Sequence, residues 1–512
     1  MGDDRQPGWV VSTPMAVLGG GLAGLSLAPL GWPPLLWLAL VPLWGQVQRE
    51  SGRPQAPGIP GMGTGGRAAG LWGAMAVLVS HRWLLWLHPL DWLGIPLPLS
   101  LPICLAFWLA CGLAAGVLLT LWCLLGRWLG PLRWSTALLL AGLWGMAEVL
   151  LARSPLFWIG LGAAPLPGDR ALAGLAAIGG SGMVAAAQLL IGWLLWRALG
   201  ATAARRYRWW LGLVALVAVL HLLGWSQLQA SRAERGERLE VMVLQPAVPT
   251  REKLDPGQQR RLLQRLAAAQ QEAARFGVES LLLPEGALLR GQALPSQEAV
   301  EVITGGFRLE AEELRSSVLR FAPGQIHPAG WIDKHRLVPL GEWVPLAGLW
   351  RWSGLSAVGG VEPGEPSRLL LRPAGAIGVA ICYEISDGQA LAAASRSGAG
   401  WLLAAANLDP YPVLLQDQFR ALSQLRAIET ARWLVSAANT GPSLVLNSQV
   451  VVLQQLPEGR PATARFGLEA LKGLTPYARW QELPLMLLIL IALAGTLLSR
   501  RASPQASSGR GG

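Results

Sequence analysis

Ala376-Ile-Gly-Val-Ala-Ile-Cys-Tyr-Glu384 reads as an apolar strand that stops at a cysteine, with a tyrosine and a glutamate directly behind it. Cys382 is the one cysteine of a polar stretch, residues 229–482, that lies between a series of apolar runs and a last one. The charges of the flanking loops put that stretch outside the cytoplasm. In an exported domain, a cysteine without a disulfide partner points to a thiol kept for its chemistry.

Away from this stretch the chain is strongly apolar. Of 512 residues 52% are hydrophobic and 14% charged, and the mean hydropathy of +0.39 excludes an ordinary soluble multidomain protein. Seven runs of helix-spanning length precede residue 229, at roughly 9–30, 32–47, 69–88, 98–126, 134–152, 174–199 and 209–227, and an eighth covers 483–498. The expected organisation is a seven-helix transmembrane region over 1–228, an extracytoplasmic domain over 229–482, a transmembrane helix over 483–499 and a disordered cytoplasmic tail over 500–512. The loop 51–68 is rich in Gly and Pro. No cleavage pattern follows the first run, which reads as a retained signal anchor.

A net charge of +11 and a pI near 10.4 raise the question of nucleic acid. The polar stretch holds 26 Lys/Arg against 25 Asp/Glu, whereas the remainder holds 16 against 6, so the basicity belongs to the membrane part and no nucleic-acid partner is expected. With the N-terminus inside, the cytoplasmic segments carry Arg5, Arg49, Arg53, Arg67, Arg127, Arg133, Arg197, Arg205, Arg206, Arg208, Arg500, Arg501 and Arg510. The outer connections carry only Arg153 and Arg170. Retention of positive charge inside predicts cytoplasmic termini and an exported 229–482.

That exported stretch alternates short β-like runs (239–245, 280–284, 317–321, 376–382, 401–406, 433–438, 443–446, 450–453) with helical ones (251–276, 387–397, 415–431). The alternation predicts an α/β domain with helices covering sheet faces. Glu285, in LLLPEGALL, and Cys382 each fall just past a predicted strand, where α/β folds place their chemistry, and Lys334, in WIDKHRLVPLGEW, lies near the end of an extended stretch. An acid, an ammonium and a thiol are the parts needed for acyl transfer through a thioester.

Each residue also has a plainer reading. A lone cysteine is more often a small buried hydrophobe, and a lone glutamate a solvated acid. Against this, Glu285 sits among leucines, where burial would raise its pKa toward the range of a general base. Lys334 could be half of a surface pair with Asp333 or Glu342, yet the chain holds three lysines to 39 arginines, which suggests that a compact point charge is wanted here. In the membrane part, Glu148 and Arg82 are intramembrane charges that a mutual pair would satisfy. Trp83, Trp86, Trp92 and Trp158 read as interfacial anchors, and Cys104, Cys111 and Cys123 as packing residues without metal spacing.

At VMVLQPAVP, PEGAL, DKHRLVPLGEWVPL and ICYE the chain resembles the carbon–nitrogen hydrolase (nitrilase) superfamily and, with its membrane helices, the apolipoprotein N-acyltransferase family. The resemblance implies a membrane α-helical bundle of about eight transmembrane helices plus an extracytoplasmic α/β nitrilase-like αββα sandwich. It assigns Glu285 as proton acceptor, Lys334 as oxyanion stabiliser and Cys382 as nucleophile. Glu342, Tyr383 and Glu384 take supporting roles, with ordinary surface acids left open as the alternative for the two glutamates. The implied reaction moves an acyl chain from a membrane phospholipid to the α-amine of a diacylglyceryl-cysteine on an apolipoprotein, at the outer face of a bacterial inner membrane and without cofactor or metal. A membrane-tethered amidase or nitrilase, and a non-catalytic polytopic binding protein, are the alternatives. The chain departs from the family at Asn407-Leu-Asp-Pro-Tyr-Pro412, at Ile332 and at Gly286.

Overall fold

The structure, a computed structural model, describes residues 12–48, 64–130, 133–233, 236–339, 341–343 and 360–501. Most of the Gly/Pro-rich loop, the tail from 502 onward, and Arg5, Arg49, Arg53 and Arg510 lie outside the described residues.

The predicted apolar runs form helices α1 (Thr13–Ser26), α2 (Pro33–Val47), α3 (Thr64–Ser80), α4 (Leu97–Leu129) and α5 (Trp134–Ala152). A one-turn α6 (Arg170–Ala173) then leads into α7 (Ala176–Gly200) and α8 (Ala203–Ala233). Among these α4, α5, α7 and α8 are long and apolar enough to cross a membrane, as is the closing helix of the chain. The first three have 14, 15 and 17 residues, short of the roughly 20 that a full crossing takes. The run expected over 69–88 divides, because α3 stops at Ser80 and a 3₁₀ turn, Arg82–Leu87, takes over.

Close helix approach comes from small residues. A Cβ on Gly145 of α5 would come within 2.2 Å of the Gly182 carbonyl of α7, so glycine is required at that crossing. Helix α7 is broken at Gly179–Gly180, where Gly180 has φ +70°.

The α/β unit contains β1 (Glu237–Gln245), α9 (Pro256–Phe276), β2 (Ser280–Leu282), β3 (Glu301–Glu310), β4 (Glu313–Phe321), β5 (Gly330–Asp333), β6 (Leu369–Leu370), β7 (Ile377–Ile381), α10 (Gly388–Arg396), β8 (Leu402–Ala406), α11 (Val413–Thr430), β9 (Leu434–Ala438), β10 (Leu444–Leu446), β11 (Val452–Gln455), β12 (Ala462–Ala470) and α12 (Pro476–Trp480). The chain then enters α13 (Leu483–Arg501). The strands make two six-stranded sheets, ordered β12-β1-β2-β3-β4-β5 and β11-β10-β9-β8-β7-β6.

Val241, Val243, Ile303 and Val318 of the first sheet meet Val379, Ile381, Leu403 and Val435 of the second in one core. The opposite face of the first sheet, with Met242 and Leu281, packs on Leu266, Ala269 and Ala273 of α9. The outer face of the second sheet packs on α10 and α11. The layers are therefore α, β, β, α, as expected from the resemblance. Strands β7, β8 and β9 pair in parallel and are buried along their whole length, which is why they read as unbroken apolar runs.

The core around α11 is continuous with the membrane helices, since Leu422 and Leu425 belong to the same cluster as Val184 and Leu189 of α7. Polar joints reinforce this seam. Glu429 of α11 accepts the Ser181 N–H (3.0 Å) at the start of the second half of α7, and Gln418 donates to the Ser80 carbonyl (2.9 Å) at the end of α3.

Candidate active site

Three strand ends converge on one spot. Glu285 follows β2 after Leu283-Pro284, and Gly305 of β3 lies so close that a Cβ there would come within 2.4 Å of the Glu285 Cα. Lys334 directly follows β5, its N–H donating to Ser316 (2.8 Å). Cys382 directly follows β7 with φ +50°, a left-handed conformation that non-glycine residues adopt at a cost and that breaks the strand into a 3₁₀ turn, Cys382–Ser386.

The Lys334 Nζ donates to Glu285 Oε1 at 2.7 Å and to the Glu342 carboxylate at 2.8 Å, and the charges of Glu285, Lys334 and Glu342 act on the Cys382 thiol. Lys334 is only 1% exposed. It is thus not half of a surface pair, and its neighbour Asp333 binds Arg308 instead. Burial opposes the charge on Lys334, but the carboxylates of Glu285 and Glu342 overcome it and hold the ammonium well above the usual lysine range. Burial, and then the negative charge of Glu285, push the Cys382 thiol well above its usual value despite Lys334. The resting residue is therefore a thiol.

Glu384 organises the turn. Its carboxylate accepts the Ile381 N–H (2.9 Å) ahead of the cysteine, the His335 N–H (2.7 Å) after the lysine, and both oxygens face the buried Arg368 (2.7 and 2.8 Å). The lysine and cysteine segments are thereby tied through one side chain. Glu342 also accepts the Val338 N–H (2.8 Å), closing the loop that presents it to Lys334. Neither glutamate is an ordinary surface acid.

An apolar cavity of about 100 Å³ opens beside Cys382, walled by Tyr383, Leu408 and Tyr411 of the α/β unit and by Trp83, Phe107 and Trp158 of the helical part. A second cavity of about 310 Å³ inside the bundle shares His81, Phe107, Cys111 and Leu156 with it. Trp158 stacks on Tyr383 (ring centroids 5.9 Å, 12°), and Trp83 meets Tyr411 edge-on (5.8 Å).

The carbon–nitrogen hydrolase family matches residues 247–465, which contain Glu285, Lys334, Glu342 and Cys382. Over nearly its whole length, the helices on both sides included, the chain is also similar to curated relatives. It is 46% identical to the apolipoprotein N-acyltransferase of Prochlorococcus marinus over 98% of both chains. It is 49% identical to that of Parasynechococcus marenigrum over 91% of this chain and 96% of the other. The chain belongs to the apolipoprotein N-acyltransferase family. A more distant apolipoprotein N-acyltransferase, from Gloeobacter violaceus, is 30% identical over 97% of this chain and 95% of its own. The likeness to apolipoprotein N-acyltransferases thus takes in the helices on both sides of the hydrolase-like unit, and the chain is a multi-pass membrane protein.

Several expectations need correction. Arg82 does not pair with Glu148: it lies in the 3₁₀ turn after α3 and donates to Val79 (2.8 Å), while Glu148 accepts the Leu161 and Gly162 N–H groups (2.8 and 3.1 Å) and Trp144 (2.9 Å). Backbone donors in a loop too short to announce itself satisfy that carboxylate. Trp83 and Trp158 are buried walls of the cavity rather than interfacial anchors, because the α/β unit covers them; Trp86 is exposed, and the side chain of Trp92 lies outside the described residues. Cys104 and Cys111 line the same cavity, whereas Cys123 packs within the bundle.

The divergent 407–412 segment is part of the site. The Asn407 N–H donates to Glu285 Oε2 (3.2 Å), and Leu408 and Tyr411 form the cavity wall. Sequence reasoning missed Arg368, Tyr411 and Trp158. Departure from the family pattern marked the stretch that holds Tyr411, but no local signal distinguishes Arg368 from the other arginines.

Proposed function

We propose that the chain transfers an acyl chain from a membrane phospholipid, through a thioester on Cys382, to the α-amino group of the N-terminal diacylglyceryl-cysteine of apolipoproteins. The observation that carries this reading is the position of Cys382, Lys334 and Glu285 at the end of an apolar cavity that continues into the membrane bundle. An acyl ester from the bilayer reaches the thiol through such a cavity without crossing water. The names of the relatives support the same activity.

In the first half-reaction Glu285 takes the thiol proton as the sulfur attacks the ester carbonyl, and the Lys334 ammonium stabilises the oxygen that becomes negative. Collapse expels the lysophospholipid alkoxide, which takes the proton from Glu285 and leaves a thioester. In the second half-reaction the α-amine, with an ordinary pKa of about 8, attacks the thioester and loses its proton to Glu285. The thiolate leaves and is reprotonated, so the cycle is ping-pong. Glu342 holds Lys334, and Glu384 and Tyr383 hold the turn that carries the nucleophile.

We assign 1–228 and 483–499 to the membrane and 229–482 to the catalytic domain, on the outer side of a bacterial inner membrane with both termini cytoplasmic. The helix ends nearest the exported unit, at Ser80, Ala152 and Ser181, alternate with ends bearing Arg127, Arg133 and Arg500, which fits the charge rule. The test is reconstitution of the full chain in vesicles containing labelled phosphatidylethanolamine. The expected result is a hydroxylamine-sensitive label on Cys382 that a diacylglyceryl lipopeptide discharges as an amide, and that Cys382→Ala abolishes. Hydrolysis of simple amides without lipid dependence would favour an amidase instead, and absence of any adduct would favour a binding protein.

A further inference from the structure

We propose that Arg336 is a positioning residue for acyl selectivity: it fastens the membrane loop after α5 to the Cys382 turn and so holds Trp158 as the wall that decides which acyl chains fit. This inference rests on the acyltransferase reading above.

The Arg336 guanidinium donates to three carbonyls of that loop, those of Ala152, Ser154 (2.5 Å) and Phe157 (2.9 Å). Ala152 is the last residue of α5, so its carbonyl has no partner within the helix and sits at the negative end of the helix dipole. The same guanidinium lies 4.4 Å from the ring centroid of Tyr383, the residue after the nucleophile. The Tyr383 hydroxyl is directed to the carbonyls of Pro155 (2.9 Å) and Phe157 (2.8 Å), in the same loop. Through its own backbone N–H, Arg336 also donates to Glu384 (3.2 Å), which ties the cysteine and lysine segments.

One side chain thus joins a membrane helix end, the nucleophile's turn and the lysine segment. A planar fork with five donors meets several carbonyls and an aromatic face together, whereas a lysine is a point charge that reaches fewer of them. The loop so held contributes Pro155, Leu156 and Trp158 to the cavity beside Cys382. Trp158 has one other polar tie, from its indole N–H to Gln418 (2.9 Å). Without the guanidinium, the loop is held against the α/β unit by that bond, those of Tyr383 and the Arg153–Glu482 ion pair (3.5 Å).

The experiment uses the full chain in lipid nanodiscs, with Arg336→Met, Arg336→Lys and, as a wall variant with the clamp intact, Trp158→Leu. Lauroyl and palmitoyl phosphatidylethanolamines compete as donors, and hydrogen exchange is followed over residues 153–160. Loss of the charge-assisted bonds in Arg336→Met should speed exchange of that loop by about tenfold or more. The ratio of kcat/KM between the two donors should collapse toward unity, with Arg336→Lys intermediate. Trp158→Leu should flatten the same ratio without the faster exchange over residues 153–160. A wild-type donor ratio in Arg336→Met or in Trp158→Leu would overturn the proposal, even if exchange accelerates. Failure of the wild-type chain to take an acyl group from either donor would instead overturn the acyltransferase reading on which it rests.

Discussion

Replacing Glu384 by glutamine keeps the outline of the side chain and removes one acceptor oxygen and the charge. The native carboxylate serves the amides of Ile381 and His335 and both contacts of Arg368, a guanidinium only 3% exposed. In either flip of the amide, its NH₂ faces a buried donor, and Arg368 loses its counter-charge. Removing one partner of a buried ion pair costs about 3–5 kcal/mol. For a unit of this size each kcal/mol lowers the midpoint by about 2–4 °C, so the α/β unit should unfold on the order of 10 °C earlier. Loosening the turn also displaces the sulfur from Glu285 and Lys334, and a displacement near 1 Å is worth about a hundredfold in rate. Tryptophan-detected thermal unfolding of the full chain, paired with the rate of thioester formation well below both midpoints, measures the two effects. The double variant Glu384→Gln/Arg368→Met should recover part of the lost stability, since the stranded charge is then gone. A single variant as stable and active as the wild type, or a double variant no better than the single, would refute the reasoning.

Three other outcomes follow from the same geometry. Alkylation of Cys382 by a small neutral reagent should rise with pH around a midpoint above the ~8.5 of a free thiol, and Glu342→Gln should move it downward by removing a negative neighbour; an upward or null shift counts against the proposed electrostatics. Burial raises the Glu429 carboxyl to about 7, against the opposing pull of Arg426, so below its unfolded value of 4.5 no stability is lost from this group. Between 4.5 and about 7 the folded chain keeps a proton that the unfolded chain has released, so stability falls as pH rises through that window. Glu429→Gln should flatten that part of the wild-type slope in midpoint against pH, and identical slopes would dismiss it. Tyr411→Ala removes a half-buried ring from the cavity wall, costs up to about 3 kcal/mol, and should favour longer acyl donors; an unchanged donor profile would deny Tyr411 its place in the wall.

What was legible without coordinates were features that repeat along the chain or stand alone in it. Runs of apolar residues gave the membrane helices, because a helix in lipid must satisfy its backbone internally and leaves a long uniform signal. The largely apolar, fully buried β7, β8 and β9 were equally plain, and Glu285, Lys334 and Cys382 stood out by position after strands and by scarcity. Strand β3 was not legible. Its paired Gly305–Gly306 interrupts the alternation, and the turn to β4 uses Ala311 and Glu312 at φ 49° and 69° where a glycine or asparagine would have announced a hairpin.

Only the tertiary structure decided which partners those residues have. The carboxylate of Glu148 chose backbone amides over Arg82, Glu384 chose Arg368 and the amides on either side of it, and Trp158 became a cavity wall when the α/β unit settled on it. Such choices depend on which polar groups burial leaves without water, and that is fixed by contacts between segments far apart in the chain. Local sequence sets a residue's chemistry and its place on a strand or helix; the packing of the two sheets on the membrane bundle sets what that chemistry meets.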